Sequence, residues 1–316
     1  MVQAGKDLKA APNESAYAEK KPVPIRFNPL AYCGALLQEP KRLTDVVSWH
    51  EHIPFAFVLI EMLRPKVFVE LGTHKGDSYL AFCQAVNTLG TDTGCFAVDT
   101  WKGEEHAGLY DDTVLEELRA HHDPLYGRFS TLIRSTFDEA LAKFGDGTVD
   151  LLHIDGLHTY EAVKHDFETW LPKVSGRGVV LFHDITVRER DFGVWRFWDE
   201  VKGGYPHFDF RHGHGLGVLC VGKDSPAAMS ELLNLSKSDE KKIQDFFFVF
   251  GHRMAPSAGI QARLQMTYER LLAERDAVIA EKNAQIQGKD EQIQGLRNSL
   301  SWKITAPLRK IFGLIK

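Results

Sequence analysis

Residues 66–76 read KVFVELGTHKG, and this stretch decides the fold. The apolar run 66–71 has the length and composition of a short buried strand. The chain then turns through two glycines, Gly72 and Gly76, and a segment with helical spacing follows over Asp77–Leu89. A short strand that passes through a glycine turn into a helix predicts the start of a βαβ fold.

The same alternation continues along the chain. Further strands are predicted at 94–99, 129–134, 149–154 and 178–183, and helices at 43–63, 113–121, 137–144, 160–170 and 194–201. Strands separated by helices predict an α/β, Rossmann-like, mostly parallel sheet with helices on both faces. The last two apolar runs, 208–211 and 217–221, predict a closing antiparallel pair.

Composition excludes several classes of protein. The chain has 316 residues, 44% hydrophobic and 26% charged, which is typical of one globular domain with appendages. Its net charge of −5 does not favour a nucleic-acid partner. The four cysteines form no C-x-x-C pair, the N-terminus has no apolar signal core, and no apolar run reaches the roughly 20 residues of a membrane span. We therefore predict a cytoplasmic protein that binds no nucleic acid.

The chain divides into four predicted parts. Residues 1–25 read as a mobile polar tail and 26–255 as the globular domain. Residues 256–300 predict a helix with one apolar residue in every seven, at Leu272, Ile279, Ile286, Ile293 and Leu300. One apolar seam permits a weak coiled coil and a homodimer. Residues 301–316 are basic and amphipathic, which suits either contact with an anionic membrane face or a partner, or a frayed tail.

The glycine turn and its flanking acids predict a cofactor. Gly72 and Gly76 allow a ligand to approach the backbone, while Glu70 at the strand tip disfavours phosphate and suits an ammonium group. Asp99 ends the next strand, where an acid can accept both hydroxyls of a ribose. A nucleoside joined to an amino acid has both groups, so we predict S-adenosylmethionine. A nucleotide-dependent dehydrogenase or epimerase is the weaker alternative, because the third glycine of the dinucleotide motif is missing.

Polar residues at two later strand ends predict a catalytic corner. Asp155 and Asp184 follow strands that we expect to be neighbours, and two adjacent carboxylates favour a divalent cation such as Mg²⁺ between them. His158 lies three residues after Asp155 and is predicted to take a proton from the acceptor hydroxyl. A plain turn at Asp155 and a helix cap at Asp184 are the alternatives. His183 is expected to be an ordinary core histidine.

Two further segments are predicted near the same edge. The long loop after Asp99 contains Trp101, His106 and Tyr110, which form either a wall for a polyol acceptor or an ordinary structured loop. The segment His212-Gly-His214-Gly lies at the closing hairpin, where it forms either a plain turn or part of the acceptor pocket.

Three phrases carry a resemblance to a known family: DTWKGEEHAGLY (99–110), LLHIDGLHTYEAVKHDFETWLPKVSGRGVVLFHDI (151–185) and HGHGLGVLCVG (212–222). With the glycine turn, they resemble the class I S-adenosylmethionine-dependent methyltransferases over roughly residues 45–222. The nearest likeness is to a bacterial branch found beside or fused to glycosyltransferases of surface-polysaccharide synthesis. The resemblance implies a seven-stranded sheet with an antiparallel last strand.

The resemblance also implies roles for individual residues. In the metal-dependent O-methyltransferases an acid ending the fourth strand binds Mg²⁺, a base follows three residues later, and a second acid ends the fifth strand. Asp155, His158 and Asp184 match that pattern. Ile185 stands where the catechol-type enzymes have an Asn ligand, so one ligand is unassigned. Ser135 matches a position that often contacts adenine, and Asp155 is also predicted to contact the cofactor.

These observations predict an O-methyltransferase that acts on a sugar or glycan hydroxyl. The ending SLSWKITAPLRK (299–310) is similar to endings on polysaccharide glycosyltransferases and their associated proteins. We therefore predict that the C-terminal helix contacts glycosyltransferases near the inner membrane. A non-catalytic adaptor that recruits such enzymes is the alternative from another class.

Overall fold

Nine strands form over the part of the chain that the computed structural model describes, namely residues 27–104, 108–305, 307–308 and 313. They are β1 (Val67–Leu71), β2 (Gly94–Asp99), β3 (Gly103–Glu104), β4 (Gly108–Leu109), β5 (Ser130–Arg134), β6 (Val149–Ile154), β7 (Val174–His183), β8 (His207–Phe210) and β9 (Leu216–Cys220). Strands β3 and β4 form a small separate hairpin.

The other seven strands form one sheet in the order β5-β2-β1-β6-β7-β9-β8. Strands β5, β2, β1, β6 and β7 are parallel, and β9 runs antiparallel between β7 and β8. The predicted Rossmann-like sheet with a closing antiparallel strand is therefore confirmed. Its order reverses at β1 and β6, so the carboxyl ends of these two strands border the crevice where ligands of such sheets bind.

Helices cover both faces of the sheet. The α-helices are α1 (Cys33–Leu36), α2 (Ile53–Leu63), α3 (Asp77–Leu89), α4 (Thr113–Tyr126), α5 (Phe137–Ala140), α6 (Tyr160–Trp170), α7 (Val194–Val201), α8 (Ala227–Leu233), α9 (Lys237–Asn298) and α10 (Leu300–Ile304). Short 3₁₀ helices include Val47–His52, which leads directly into α2. The predicted helix at 43–63 is therefore interrupted: its first residues are not helical, and Pro54 lies in the first turn of α2, where proline is tolerated.

The core lies in two layers, one on each face of the sheet. Phe68 points to the layer that contains α2 and α3, and the next residue, Val69, points to the layer that contains α6 and α7. This alternation follows from the two-residue period of a strand. Because both faces are covered, the central strands are apolar throughout: every residue of β6 is buried.

Helix α9 begins inside the globular domain and continues beyond it. Ser236 caps it by accepting the N–H of Asp239, and Ile243 and Phe247 are buried in the core. Gly251 lies against the 3₁₀ helix, where a Cβ would come within 2.0 Å of the backbone oxygen of Glu51. The predicted domain boundary at 255/256 therefore falls within one continuous helix.

The two chain ends are only partly covered by the described residues. The predicted tail at 1–25 lies outside them, and of 301–316 they include 301–305, 307–308 and 313. Within the described part of the chain, no helix combines the length and the apolar character that a membrane crossing requires.

Candidate active site

The loop between β1 and α3 has a backbone that only glycine adopts readily at two positions. The φ angle is +85° at Gly72 and +86° at Gly76. A Cβ on Gly72 would lie 2.1 Å from the backbone oxygen of Asp155, and a Cβ on Gly76 would lie 2.6 Å from Cδ1 of Leu118. The glycines therefore let the loop pass directly against the end of β6.

Asp99 ends β2 beside this loop and holds it in place. Its Oδ2 accepts hydrogen bonds from the N–H groups of Thr73 (2.8 Å) and His74 (2.9 Å). Its Oδ1 accepts the N–H of Trp101 at 2.7 Å. Asp99 also lines the cavity described below. Because a carboxylate oxygen has two lone pairs, Oδ1 keeps the capacity to accept one further hydrogen bond, as the predicted ribose contact requires.

Glu70 lies behind the loop and is fully buried. Its Oε2 is 2.8 Å from Nδ1 of His153, whose Nε2 is 3.4 Å from the indole nitrogen of Trp49. An indole N–H can only donate, so His153 accepts at Nε2 and donates from Nδ1 to Glu70. Burial raises the pKa of Glu70, and the hydrogen bond from His153 opposes that rise. Glu70 is not among the described cavity-lining residues, and its contact with an ammonium group stays a prediction.

Ser135, which the resemblance assigns to adenine, follows β5. Its hydroxyl donates to the backbone oxygen of Thr136 at 2.9 Å. Ser135 is not among the described cavity-lining residues, whereas Phe137, two residues later, is. The adenine contact of Ser135 stays a prediction, and Phe137 adds an aromatic ring that the sequence did not assign to the site.

Asp155, His158 and Asp184 come together at the carboxyl edge of β6 and β7. Nε2 of His158 lies 2.9 Å from Oδ2 of Asp184 and 3.6 Å from Oδ1 of Asp155. One ligand atom from each of the three residues lies within 4.8 Å of the others. The two carboxylates meet because β6 and β7 are parallel neighbours, with Ile154 paired to Phe182. The structure thus brings together the three residues that the sequence assigned to the metal and the base.

Positive charge balances the two carboxylates. Burial alone would raise the pKa of Asp155 and Asp184, but the neighbouring imidazoles, His183 first, hold both pKa values below the ordinary range. Burial disfavours the charged form of His158, yet its hydrogen bonds to the two carboxylates raise its pKa to about 9. At neutral pH the His158 ring is therefore protonated in the absence of a bound cation.

Two more histidines belong to this cluster: His183, which was expected to be an ordinary core histidine, and His214, whose segment was expected to form either a plain turn or part of the acceptor pocket. Nδ1 of His183 lies 3.2 Å from Oδ1 of Asp155, and its Nε2 donates to the backbone oxygen of Gly213 at 3.0 Å. Nδ1 of His214 lies 3.0 Å from Oδ1 of Asp184. His214 reaches the cluster because β9 pairs with β7, which brings the β8–β9 turn beside the end of β7. The glycines flanking His214 were the signal for that turn.

Backbone strain accompanies this arrangement. Asp184 and His214 have φ angles of +61° and +65°, in the left-handed region that non-glycine residues rarely adopt. His74 in the glycine loop and Trp101, which donates its indole N–H to the backbone oxygen of His74, have φ angles of +49° and +48°. Such strained residues cluster at ligand-binding and active sites, because surrounding contacts must hold them in place.

One cavity of about 570 Å³ contains both parts of the site, namely the glycine loop with Asp99 and the cluster of Asp155, His158 and Asp184. Its lining includes Trp49, Gly72, His74, Gly76, Ser78, Asp99, Tyr110, Phe137, Asp155, His158, His183, Asp184, Arg190, Phe192 and His214. A volume of this order suits a small molecule or cofactor. The glycine loop and the carboxylate cluster therefore open into the same space.

Aromatic pairs form the wall of the cavity. The rings of His74 and Tyr110 stack at 4.9 Å, and those of His158 and Phe192 stack at 4.7 Å with an interplanar angle of 12°. Trp101 turns inward instead: it is fully buried and its indole N–H donates to the backbone oxygen of His74. His106 lies outside the described residues. Of the predicted wall of the loop after Asp99, Tyr110 faces the cavity and Trp101 supports the wall from behind.

The residues of the cavity fit both predicted ligands. Gly72 and Gly76 line the cavity without side chains, so a ligand such as S-adenosylmethionine can approach the backbone of the loop there. The carboxylates of Asp155 and Asp184 offer hard oxygen ligands, which suit a divalent cation, and the His158 imidazole beside them stays available as a base.

Comparisons with known proteins identify sequences similar to this chain. Residues 69–185 match the model of a family described as "Methyltransferase domain". A Sinorhizobium fredii protein, "Uncharacterized protein y4gI", is 44% identical over 247 residues, which are 76% of this chain and 27% of that protein. The chain thus spans about a quarter of the length of this curated relative.

Solved structures of methyltransferases are also similar to this chain. The O-methyltransferase TomG from Streptomyces achromogenes, solved with S-adenosylmethionine, is 13% identical, with 62% of this chain and 97% of that chain covered and a TM-score of 0.42. The Podospora anserina methyltransferase PaMTH1, solved with S-adenosylhomocysteine, is 15% identical, with 60% and 92% covered and a TM-score of 0.42.

The sheet has the seven strands and the antiparallel closing strand expected of a class I methyltransferase, and the segment 69–185 matches the methyltransferase domain model. This match agrees with the predicted enzyme class. The glycine loop, Asp155 and Asp184 all lie inside the matched segment.

Proposed function

We propose that the protein is an S-adenosylmethionine-dependent O-methyltransferase that transfers a methyl group to a sugar hydroxyl. One observation carries the proposal: the glycine loop and the Asp155–His158–Asp184 cluster line the same cavity. A methyl donor held at the loop and an acceptor oxygen held at the cluster would then meet in one space. The sulfonium methyl is already activated, so the main task of the protein is to align the two groups.

The cofactor half would be held mainly by backbone. The amino-acid part of the donor would lie against the backbone of Gly72 and Gly76 in the cavity wall, and the first turn of α3 would present N–H groups to its carboxylate. Asp99 keeps the loop rigid through its three N–H contacts and accepts a ribose hydroxyl at its remaining lone pair. Phe137 packs beside the planar base.

The acceptor half depends on charge. A divalent cation held by Asp155 and Asp184 would supply positive charge that lowers the pKa of both an acceptor hydroxyl and the His158 ring. Once the His158 ring has released to solvent the proton that the two carboxylates stabilise, its Nε2 would accept the proton of the hydroxyl. Phe192 stacks on His158 and holds the ring in this orientation.

The sugar acceptor and the role in surface-polysaccharide synthesis are supported by two features. The aromatic residues His74 and Tyr110 offer the kind of apolar face that packs on a sugar ring, beside polar groups that can bind its hydroxyls. The three phrases quoted above resemble the polysaccharide branch of the family. An adaptor for glycosyltransferases needs neither feature.

The C-terminal helix is proposed to mediate assembly. Ile279, Ile286 and Ile293 recur every seven residues on α9 and remain about half exposed. This seam would pair with a second copy or with a glycosyltransferase. Sedimentation of the wild type and of Ile286→Asp over a range of concentrations tests self-association: a dimer that the substitution dissociates supports a homodimer. A monomeric wild type contradicts it.

Residues 301–316 are proposed to contact an anionic membrane face, which vesicle binding would test.

The enzymatic proposal has a direct test. Calorimetry of the purified full chain with S-adenosylmethionine and with NAD in parallel should give heat only with the former. Mass spectrometry of surface glycan from cells with and without the protein should then show the loss of one methyl group. Binding of NAD alone would support the dehydrogenase alternative, and donor binding without any methylated product would support the adaptor.

Metal dependence is tested separately. Excess chelator should abolish methyl transfer, and added Mg²⁺ should restore it. The cation itself can be followed by calorimetry with the wild type and with Asp184→Asn, which should bind it far more weakly. Full activity in excess chelator would remove Asp155 and Asp184 from the ligand role.

A further inference from the structure

The loop between β7 and α7 brings one arginine to the cavity wall. Arg190 lies six residues after Asp184 and lines the cavity together with His158 and Phe192. Its φ angle is +52°, so the backbone at this position is held in the left-handed region. The loop thus holds this long cationic residue at the rim of the acceptor half in a conformation that costs free energy.

A short chain of ring contacts relates Arg190 to the transfer site. Cζ of Arg190 lies 5.4 Å from the centroid of the Phe192 ring, and that ring stacks on His158 at 4.7 Å. The sum of these two distances is the largest possible separation, so the guanidinium lies within about 10 Å of the His158 ring. An acceptor of the size of one sugar residue with an attached acid group can span that distance.

Within the described part of the chain, Arg190 has no carboxylate partner, in contrast to the other basic side chains at the cavity wall. Lys75 pairs with Asp45, and His183 and His214 lie beside the carboxylates of the cluster. Among the described residues, no carboxylate lies within ion-pair distance of Arg190, whose guanidinium lies against the Phe192 ring. A guanidinium stays charged at all ordinary pH values and offers a planar pair of donors that matches a phosphate or a carboxylate.

We propose that Arg190 is an anion-binding subsite for the acceptor, and that the acceptor is therefore a sugar carrying a phosphate or carboxylate group. This inference rests on the proposed methyltransferase function and narrows its substrate class. The acidic group binds at Arg190 while a hydroxyl of the same molecule reaches His158. A neutral sugar makes the second contact but not the first.

The same loop offers a matched control. Arg188 lies two residues earlier, with its guanidinium 4.1 Å from the centroid of the Trp195 ring, and it is not among the described cavity-lining residues. Arg188→Gln removes the same charge from the same loop as Arg190→Gln. A general effect of loop charge would appear in both variants, whereas the loss of a subsite would appear only in Arg190→Gln.

The experiment does not require the acceptor to be known in advance. Glycan and its precursors from cells lacking the protein are separated by anion exchange into neutral and anionic fractions, and the full-length enzyme is added with isotopically labelled S-adenosylmethionine. We expect the label in the anionic fraction. Phosphatase treatment moves the label to the neutral fraction if the acid is a phosphate, and carboxyl reduction does so if it is a carboxylate.

The variants then assign the effect to Arg190. A charge-assisted pair of hydrogen bonds corresponds to roughly 10-fold to 100-fold in binding, so Arg190→Gln should raise the KM for the anionic fraction by that factor with little change in kcat. Arg188→Gln should leave KM unchanged, and Arg190→Lys should restore part of the loss. The Kd for S-adenosylmethionine should be unchanged in all three variants.

Three results would overturn the proposal in distinguishable ways. Label confined to the neutral fraction contradicts the anionic acceptor while preserving the methyltransferase. An increased Kd for S-adenosylmethionine in Arg190→Gln assigns the arginine to the carboxylate of the donor instead. No label in any fraction, from protein that still binds the donor, contradicts the proposed function itself and the subsite with it.

Discussion

The two halves of the cavity are built by different physical means. The cofactor half is made of backbone: two left-handed glycines, a strand end pressed against the loop, and Asp99 bonded to three N–H groups. The acceptor half is made of charged side chains from three loops, those after β6, β7 and β8. A side chain added at the glycines should therefore weaken donor binding in the cofactor half. In the acceptor half, activity and stability should depend instead on pH and on bound cations.

The largest effect is expected at Gly72. Gly72→Ala puts a Cβ 2.1 Å from the backbone oxygen of Asp155 at a φ of +85°, so the loop must move away from β6. A left-handed alanine costs about 1–2 kcal/mol and an overpacked contact about 1–3 kcal/mol. Together these costs amount to about 2–5 kcal/mol, which corresponds to a loss of roughly 30-fold to 5000-fold in the affinity for S-adenosylmethionine, measured by calorimetry.

Gly90→Ala is the matched control for this substitution. Gly90 also has a left-handed φ, +58°, but a Cβ there meets no atom within 4 Å, and Gly90 ends α3 away from the cavity. It should cost about 1 kcal/mol of stability in denaturant unfolding and leave the donor affinity unchanged. Equal losses of affinity in the two variants would show that the collision with Asp155 is not the cause.

The second-largest effect is expected from removing His158, the proposed base of the acceptor half. His158→Gln should lower kcat by roughly 100-fold to 1000-fold, because a positioned general base contributes about this much. The affinity for S-adenosylmethionine should stay within twofold, since the ring lies in the other half of the cavity. Steady-state kinetics and calorimetry measure the two quantities.

His165→Gln serves as the comparison for His158. His165 also pairs with a carboxylate, Asp138 at 2.9 Å, but it lies on the exposed face of α6. Its substitution should change neither kcat nor donor affinity. If His158→Gln turns over at the wild-type rate, another group accepts the proton and the assignment of the base is wrong.

Protons should affect the stability of the acceptor half. The pKa of His158 is raised from 6.5 to about 9 in the folded protein, so the folded state binds this proton more tightly than the unfolded state. The resulting stabilisation is complete below about pH 6.5 and is lost as the pH rises through 9. At about 1.4 kcal/mol per unit of pKa, it amounts to at most about 3 kcal/mol.

Urea unfolding in chelator measures this effect. The difference in unfolding free energy between the wild type and His158→Gln should be larger at pH 6 than at pH 9.5. His183, whose pKa is also raised by Asp184 and Asp155, remains in both proteins, so its effect on the difference largely cancels. A difference that does not change with pH would mean that His158 has the same pKa in the folded and unfolded states, so that the two carboxylates do not raise it.

The same contrast explains what the sequence could predict. The bounds of β2, β6, α3, α6 and α7 follow from local apolar patterns and coincide with those of the structure. The glycine turn was likewise readable, because its two glycines are local signals. Asp155 and Asp184 could be expected to meet because they end strands that the alternation makes parallel neighbours.

Contacts that depend on the assembled sheet were not readable. His214 reaches Asp184 only because β9 inserts antiparallel beside β7, and His183 is both a buried strand residue and a partner of the carboxylates. The inward turn of Trp101 depends on its left-handed backbone, which no local pattern reveals. Arg190 likewise stands in an unremarkable charged sequence, RERD, and only the fold brings it to the cavity.

The smallest effect is expected from removing the charge of Asp99, which holds the backbone of the cofactor half. Asp99→Asn keeps one oxygen for the N–H groups of Thr73 and His74 but turns an NH₂ group toward the N–H of Trp101. One buried donor without an acceptor costs about 1–3 kcal/mol, so stability should fall by this amount and donor affinity by about tenfold. Asp111→Asn, whose carboxylate accepts the N–H of Thr113 at an exposed turn, should change neither quantity appreciably. If Asp99→Asn abolished donor binding as fully as Gly72→Ala, charge would dominate the cofactor half too, and the division between a backbone half and a charged half would not hold.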